Sequence, residues 1–303
     1  MNWIITGSAG QLGRALQAEL ASRLDVRLQA APDRSALDLG DPAAIRRFFD
    51  AQEDAPAVVV NAAAFTHVDR CEQDPELAER VNGEAPGELA ALCRERGARF
   101  VHLSTDYVFP GDGKHPYLED DATGPRSAYG RSKLLGEERV RAADPEALIV
   151  RTSWVFGEGR NFIGAILGQL GARRRGEAQG PLRVVADQRG RPTYAVDLAR
   201  GIVELVRREA RGLVHVANQG ECSWWELARF VCDEAGERSL EIQAIATREL
   251  SLPAARPAYS VLDVSRAGRF GVALRPWQEA VRAYLAAPFS PLHALPAAAG
   301  RRA

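Results

Sequence analysis

The sequence predicts an α/β protein built on a doubly wound parallel sheet. Apolar runs typical of buried strands recur along the first half of the chain and again at 212–217, and amphipathic helical segments separate them. Alternation of this kind places successive strands parallel, with helices on both faces of the sheet. Glycine-rich or polar segments follow several strands, and open α/β sheets bind their ligands at the carboxyl ends of the strands. We therefore expect the functional site at that edge.

The first strand, predicted over 3–6, leads into a glycine-rich turn and then a helix. The turn reads Gly7-Ser8-Ala9-Gly10-Gln11-Leu12-Gly13. Glycines permit a tight turn and a close approach of the backbone, and the helix N-terminus offers N–H groups to a pyrophosphate. Because the motif lies between a strand and a helix, it predicts a Rossmann-type dinucleotide site rather than an ordinary turn.

The cofactor preference depends on residues after the second strand, predicted over 26–30. Asp33 and Arg34 are adjacent there. A carboxylate in this region bonds the ribose 2′-OH of NAD, whereas an arginine accommodates the 2′-phosphate of NADP. The two residues thus favour opposite cofactors. We predict NADPH bound through Arg34, with NADH left open.

The segment 104–133 carries the predicted chemistry. Tyr129 and Lys133 are four residues apart in a helical segment, so they share one helix face. An ammonium beside a phenol lowers the phenol's pKa from about 10, which would make Tyr129 a proton donor or acceptor near neutral pH. Thr105 and Asp106 follow a strand predicted over 98–103 and would lie at its carboxyl end. Tyr/Lys pairs at this spacing also occur on solvated helix faces, so the prediction depends on the rest of the chain.

The chain of 303 residues is long enough for one large α/β domain with a smaller α/β lobe. We assign 1–155 and 190–222 to the dinucleotide-binding domain. The residues 156–189 and 223–287 are assigned to a substrate-binding lobe. The segment 288–303, rich in Pro and Ala, is predicted to be disordered.

Composition gives no reason to expect several classes of partner. The net charge of −1 gives no reason to expect nucleic acid or an anionic membrane surface. No apolar run approaches the length of about 18 residues that a membrane span needs, and Met1 to Gly7 do not resemble a secretory leader. The four cysteines form no C-x-x-C pair and have no histidine at metal-ligand spacing. We expect reduced thiols, no metal and a cytoplasmic location.

Six short motifs in a fixed order are more specific together than any one of them alone. They are Gly7-x-x-Gly10-Gln11-Leu12-Gly13, Asn61-Ala62-Ala63-Ala64-Phe65-Thr66-x-Val68-Asp69, Ser104-Thr105-Asp106-Tyr107-Val108-Phe109-Pro110-Gly111, Tyr129-Gly130-x-x-Lys133-x-x-Gly136-Glu137, Arg151-Thr152-Ser153-Trp154-Val155-Phe156 and Asp187-Gln188-x-Gly190-x-Pro192-Thr193. In combination they resemble the extended short-chain dehydrogenase/reductases and, within them, the dTDP-4-dehydrorhamnose reductase family. The resemblance covers residues 1 to 285.

The resemblance implies an activity and a set of roles. NAD(P)H would reduce the C4 keto group of a dTDP-4-keto-6-deoxy-L-sugar to give dTDP-L-rhamnose. Tyr129 would protonate the C4 oxygen, Lys133 would hold down the pKa of Tyr129 and bind the nicotinamide ribose, and Thr105 would polarise the ketone. The implied substrate contacts are Val68, Thr105, Asp106, Tyr129 and Trp154. The implied cofactor contacts are Gly7, Gly10, Gln11, Leu12, Gly13, Asp38, Leu39, Ala62, Ala63, Ala64, Tyr129 and Lys133, to which the segment after the second strand adds Arg34.

Four alternatives bear on this interpretation. Related 4,6-dehydratases carry Thr-Asp-Glu where this chain has Thr105-Asp106-Tyr107, and 4-epimerases carry a different motif there. Reduction of another dTDP-4-keto-deoxysugar stays open, as does a non-catalytic NADP-binding role like that of the regulatory subunits of methionine adenosyltransferase. Some relatives form a metal-bridged dimer through a glutamate where this chain has Ala15. We therefore carry over no metal, and the chain could be a monomer or a homodimer.

Overall fold

A computed structural model describes residues 1–296 of the chain. The strands in that part are β1 (Asn2–Thr6), β2 (Arg27–Ala30), β3 (Val58–Asn61), β4 (Arg99–Thr105), β5 (Leu148–Thr152), β6 (Val155–Phe156), β7 (Leu182–Val185), β8 (Arg189–Gly190), β9 (Thr193–Tyr194), β10 (Gly212–His215), β11 (Cys222–Ser223) and β12 (Ile242–Ile245). Six of them form one parallel sheet in the order β10-β5-β4-β3-β1-β2. The predicted doubly wound parallel sheet is confirmed.

Helices connect the sheet strands and cover both faces. They are α1 (Gln11–Ala21), α2 (Pro42–Asp50), α3 (Val68–Gln73), α4 (Pro75–Ala78), α5 (Ala85–Glu95), α6 (Ala128–Ala143), α7 (Phe162–Arg174), α8 (Ala195–Arg207), α9 (Trp224–Glu234), α10 (Ser265–Arg269) and α11 (Trp277–Ala286). Alternate side chains of the central strands enter opposite layers of the core. Val58 and Val60 pack with apolar side chains of α1 and α8, whereas Val59 packs with those of α2 and α5. This arrangement explains why β3 is apolar at successive positions.

A second apolar cluster lies outside the sheet. It joins α7, α9 and α11, and short strand pairs accompany it: β6 with β9, β7 with β12, and β8 with β11. Its residues fall largely within the segments assigned to the smaller lobe, although Ala267 and Val272 pack into the cluster around α1 and α8. The exact domain boundaries stay a prediction.

The predicted disordered tail is wrong for its first part. Pro291–Ala294 forms a 3-10 helix, with the side chain of Ser290 accepting a hydrogen bond from the backbone N–H of Leu292. Leu292 and Leu295 pack against the second apolar cluster, which explains why the chain stays folded there. The remainder of the predicted tail, 297–303, lies outside the described residues. Among residues 1–296 no helix combines the length and the apolar character that a membrane crossing requires.

The helical segment between β3 and β4 is not one regular α-helix. A π-helical segment, Glu79–Glu84, separates α4 from α5. Asn82 lies in this segment and is fully buried. Its side chain accepts from the Phe65 backbone N–H at 2.7 Å and donates to the Phe65 carbonyl at 3.1 Å and to Ser132 Oγ at 3.0 Å. The irregular turn therefore ties the loop after β3 to helix α6.

Helix α6 is held against the sheet by a buried ion pair. Arg151 of β5 donates through Nε and Nη2 to the two carboxylate oxygens of Glu137, at 2.8 and 2.7 Å. Ser104 of β4 donates to the same carboxylate at 2.5 Å. Gly136 precedes Glu137, and a Cβ at this glycine would overlap the carbonyl oxygen of Asn82. The helix thus packs backbone to backbone against the π-helical segment.

We expect Gly136→Ala to lower the free energy of unfolding by about 1–3 kcal/mol, since overpacking costs that much when the backbone must shift. Gly168→Ala in α7 is the matched control, because a Cβ there meets nothing within 4 Å. A helical Gly→Ala change without a clash gains up to about 1 kcal/mol. Thermal and urea unfolding of both variants measure the difference. Equal stability of the two would contradict the close packing of α6.

Candidate active site

A cavity of about 720 Å³ opens at the carboxyl edge of the sheet. It lies where β1 and β3, adjacent in the sheet, send their connections to opposite sides, which is the switch point at which open α/β sheets bind ligands. The turn after β1, the loop after β3, the end of β4, helix α6 and the loop 158–160 line it. This volume is within the range of about 300–1,000 Å³ typical of small-molecule pockets.

In the glycine-rich turn, two glycines pack directly against neighbouring backbone. Gly7 has a φ of +72°, and a Cβ there would lie 2.6 Å from the Ala63 backbone nitrogen. A Cβ at Gly13 would overlap the carbonyl oxygen of Gly7. Gly10 is the N-cap of α1 and makes no side-chain cap. Glycine at these positions therefore brings the helix N-terminus up to the cavity with its first N–H groups facing it.

The predicted cofactor residues converge on this cavity, with one exception. Gly13 does not line it and acts in packing α1 against the turn. The lining residues among the predicted set are Gly7, Gly10, Gln11, Leu12, Arg34, Asp38, Leu39, Ala62, Ala63, Ala64, Tyr129 and Lys133.

Arg34 and Asp33 differ in how free they are to meet a ligand. The Asp33 carboxylate accepts hydrogen bonds from Ser35 and from the backbone N–H of Ala36, and these bonds lower its pKa. The Arg34 side chain is 75% exposed and lies 3.9 Å from Asp38, its ion-pair partner. A guanidinium held this loosely is available to an added phosphate.

Tyr129 and Lys133 both lie on the first two turns of α6, which Ser127 caps by accepting from the Gly130 N–H. Lys133 is 2% exposed and donates to the Leu103 carbonyl at 2.5 Å. Thr105 ends β4, so its side chain and those of Tyr129 and Lys133 come from two adjoining elements. Ser104 and Thr105 belong to β4 itself, two residues further than the strand predicted over 98–103.

The predicted effect of Lys133 on Tyr129 stays a prediction, and in this structure burial dominates the pKa of the phenol. Burial raises the pKa of the Tyr129 phenol well above its ordinary value, with the Asp106 carboxylate adding to the rise and a hydrogen bond with Thr105 opposing it. The Lys133 amine donates to the Leu103 carbonyl. Burial also lowers the pKa of Lys133 to about 8. Tyr129 is therefore a protonated phenol at neutral pH, the form that can donate a proton.

Thr105 and Asp106 form a polar pair beside Tyr129. Thr105 Oγ1 donates to Asp106 Oδ1 at 3.0 Å. Asp106 is 2% exposed, and its Oδ2 makes no hydrogen bond of ordinary geometry in the part of the chain that the structure describes, although the Ser260 hydroxyl lies close enough to oppose the rise in its pKa. Burial raises the pKa of this carboxyl to about 6. A buried acceptor without a partner is costly unless a ligand supplies the donor, so Asp106 is suited to bind a hydroxyl group.

Trp154 is held in a strained conformation between the sheet and the smaller lobe. Its φ is +49°, which is unfavourable for a bulky residue. The indole stacks on Trp224 with centroids 3.5 Å apart, and a Cβ at Gly190 would collide with it. Gln188 accepts from Trp224 Nε1 at 3.0 Å. These contacts give a physical reason for Gln188 and Gly190 in the motif at 187–193.

Val68 begins α3 at the end of the loop that Asn82 anchors, and it is half-buried. Neither Val68, Thr105, Asp106 nor Trp154 lines the 720 Å³ cavity, which Tyr129 does line. The neighbouring Asp69 pairs with Arg256 at 2.7 Å. Thr105 and Asp106 lie close enough to Tyr129 to affect its pKa, and the role of all four residues stays a prediction.

Sequence reasoning missed four buried polar residues that organise this site: Asn61, Asn82, His102 and Glu137. Each lies in or beside a predicted strand or helix. A polar residue in such a segment is usually interpreted as exposed to solvent and without a specific role. The signal that could have identified them is a polar side chain inside an otherwise apolar strand, as with His102 in β4. Partner identity could not be read from spacing, because the bonded residues are far apart in the chain.

Comparisons with known proteins agree with this geometry. Residues 1–288 match the model of the family described as RmlD substrate binding domain. The dTDP-4-dehydrorhamnose reductase of Streptomyces griseus is 42% identical over 289 residues, which is 92% of this chain and 91% of that protein. The dTDP-4-keto-6-deoxy-D-glucose reductase of Streptomyces niveus is 39% identical over 86% of this chain and 88% of its own length.

Solved structures are similar over the same length. A dTDP-4-dehydrorhamnose reductase from Clostridium acetobutylicum superimposes with a TM-score of 0.86 at 38% identity, covering 94% of this chain and 98% of the other. The enzyme from Bacillus anthracis, solved in complex with NADP, gives a TM-score of 0.84 at 33% identity with the same coverage of 94% and 98%. A shared fold, a nearly full-length family match and relatives at this identity lead to one conclusion: the chain belongs to the RmlD family, alongside the dTDP-4-dehydrorhamnose reductases.

Proposed function

We propose that this protein is an NADPH-dependent reductase of a dTDP-4-keto-6-deoxysugar, with dTDP-4-dehydro-L-rhamnose as the substrate and dTDP-L-rhamnose as the product. The observation that carries the proposal is the placement of Tyr129. Tyr129 lines the dinucleotide cavity, and its phenol also lies next to the buried polar pair formed by Thr105 and Asp106. A proton donor at this junction can serve a ketone lying between a cofactor and the polar pair.

The cavity fits a nicotinamide dinucleotide. Gly7 and the alanines 62–64 present backbone without side-chain bulk, and the N-terminus of α1 offers N–H groups to a pyrophosphate. The exposed Arg34 guanidinium favours a 2′-phosphate, and the relative from Bacillus anthracis was solved with NADP. When bound, this cofactor supplies the hydride.

The chain's own residues supply the proton and the polarisation. The raised pKa of Tyr129 keeps its phenol protonated, as reduction of a ketone requires. The Thr105 hydroxyl, at the end of β4, can turn its single proton from Asp106 to the keto oxygen and so stabilise the charge that develops there. Asp106 Oδ2 accepts a hydrogen bond from a hydroxyl group of the sugar, and this bond orients the ring.

A second keto-sugar is the alternative substrate. The relative from Streptomyces niveus is named for the reduction of dTDP-4-keto-6-deoxy-D-glucose, and it is 39% identical to this chain. The two sugars differ in stereochemistry on the ring, so the side chains around Tyr129, including Trp154, would decide between them.

The proposal includes a dTDP-sugar as the small-molecule partner and a cytoplasmic location. Four free, buried cysteines suit a reducing compartment. The proposal extends to a monomer or a homodimer as the acting form.

We expect Tyr129→Phe to lower kcat for keto-sugar reduction by about 10²–10⁴-fold, the usual contribution of a positioned acid. Tyr107→Phe is the matched control, because its ring packs edge-on against Tyr129 with centroids 5.5 Å apart. This variant should keep most of the activity. The activity of both variants is measured as oxidation of NADPH and of NADH at saturating dTDP-4-keto sugar, generated in situ. The same assay shows which of the two cofactors the enzyme uses better. Tight NADPH binding by the wild type without turnover of either keto-sugar would contradict the proposed function.

We expect kcat/KM to fall as the pH drops through about 6, because burial raises the pKa of Asp106 to about 6 and protonation removes its accepting charge. The loss should appear in KM more than in kcat, since Asp106 orients the sugar. Asp106→Asn should show a raised KM at every pH and no acid limb near that value. An acid limb that persists unchanged in Asp106→Asn would assign the titration to another group.

A further inference from the structure

Trp154, one of the predicted sugar contacts, has a backbone conformation that its surroundings must hold in place. Its φ of +49° lies in the left-handed region, which a bulky residue keeps only where neighbouring contacts enforce it. The residue follows β5, and its carbonyl accepts from the Thr193 N–H at 3.1 Å. The contacts of the indole therefore matter for the backbone as well as for the side chain.

The Trp154 indole is packed on both faces. Trp224 stacks on one face, with ring centroids 3.5 Å apart and planes 6° from parallel. A Cβ at Gly190 would lie 2.4 Å from Trp154 Cε2 and 2.6 and 2.7 Å from the two ring atoms bonded to it, so this glycine lies over the plane of the ring. Two rings 3.5 Å apart leave no room between them, so Gly190 lies against the opposite face. The edge of the indole is what remains for a ligand.

Trp224 is itself held in one orientation. Its Nε1 donates to Gln188 Oε1 at 3.0 Å, and Gln188 Nε2 donates to Thr247 Oγ1 at 2.9 Å. The Thr247 hydroxyl in turn donates to Asp187 at 2.6 Å. Because an indole N–H only donates and an ionised carboxylate only accepts, the chain of bonds runs in one direction and fixes the amide of Gln188. Phe162 adds an apolar contact, with its centroid 4.6 Å from that of Trp224.

We propose that Trp224 is a positioning residue for the sugar: stacked on Trp154 and opposed by Gly190, it holds that indole in its strained conformation at the wall of the sugar site. Trp224 does not line the dinucleotide cavity, so its effect on the reaction passes through Trp154. The inference rests on the proposed function for the identity of the ligand. Its structural part, a rigid stacked indole, can be measured without any substrate.

The expected kinetic effect follows from the strain. Without the stack, Trp154 is free to leave the left-handed region, and the fraction of protein with a competent sugar site falls. The apparent affinity for the sugar falls by the same fraction. We therefore expect Trp224→Leu to raise KM for the keto-sugar about tenfold, the effect of releasing one strained residue. The changes in kcat and in the Kd of NADPH should be much smaller, because Tyr129 and the dinucleotide cavity are untouched.

The adjacent tryptophan provides a matched control. Trp225 lies on the same turn of α9, packs against the same second apolar cluster, and donates through Nε1 to the Ile242 carbonyl at 2.9 Å. Trp225→Leu removes a comparable indole from the cluster and should leave KM as in the wild type. Trp224→Phe keeps an aromatic face on Trp154 and should recover most of the affinity. In the double variant, Trp224→Leu should add little to the KM of Trp154→Leu, because the two residues act as a unit.

Indole signals report the structural part directly. The chain has five tryptophans, so ¹H–¹⁵N spectra of the full chain contain five indole N–H signals, assigned with single Trp→Phe variants. We expect the Trp154 signal upfield of a solvated indole, because the ring lies over that of Trp224, and a ¹H–¹⁵N NOE typical of a rigid group. Trp224→Leu should remove the upfield shift and lower the NOE. Trp225→Leu should change neither.

Three results would overturn the proposal: a mobile Trp154 indole in the wild type, an equal rise in KM in Trp224→Leu and Trp225→Leu, or fully additive effects of Trp154→Leu and Trp224→Leu. If Trp224→Leu does not fold, Gln188→Leu removes the acceptor for Trp224 Nε1 and should raise KM and lower the Trp154 NOE in the same sense. Failure of the proposed substrate would leave a different signature, an absence of turnover together with a rigid, upfield-shifted Trp154 indole.

Discussion

The buried ion pair between Arg151 and Glu137 is the constraint on which the site depends. Arg151 is anchored in β5, and Glu137 lies one helical turn beyond Lys133 and two beyond Tyr129 on α6. The pair therefore fixes the position of α6 along its axis relative to the sheet. Removing one partner of such a pair typically costs about 3–5 kcal/mol, because the other charge is left buried without a partner. The position of both reacting side chains follows from this contact and from the close approach of Gly136 to the Asn82 backbone.

Around that fixed helix the polar groups divide into two sets. Those behind the site bond to one another, as Asn82 does with Phe65 and Ser132, and they hold the backbone. Those in front, such as Asp106 Oδ2, make no hydrogen bond of ordinary geometry among the described residues. The first set makes the site rigid before a ligand arrives, and the second offers it buried acceptors. Preorganisation of this kind lowers the cost of ordering the site when substrate binds.

Much of the fold and part of the site could be predicted from the sequence. The strand–glycine–helix context of Gly7 to Gly13 and the spacing of Tyr129 and Lys133 act over short distances, so local pattern was sufficient. The pKa of Tyr129 could not be predicted, because it depends on where the Lys133 amine points and how deeply the phenol is buried. The π-helical turn at Asn82 and the histidine behind Lys133 were missed for a related reason. Their partners are 17 and 31 residues away, and only the folded chain brings them together.

The central claim is that the cleft passes a hydride from a nicotinamide to C4 of the sugar, with Tyr129 completing the reaction. The most direct measurement uses NADPH deuterated at nicotinamide C4, on each face in turn, and NMR of the sugar product. We expect deuterium at C4 of a dTDP-6-deoxysugar from one face of the cofactor and not from the other. Product without deuterium from either face, or deuterium at another ring carbon, would contradict the assignment of this site as a C4 keto-reductase.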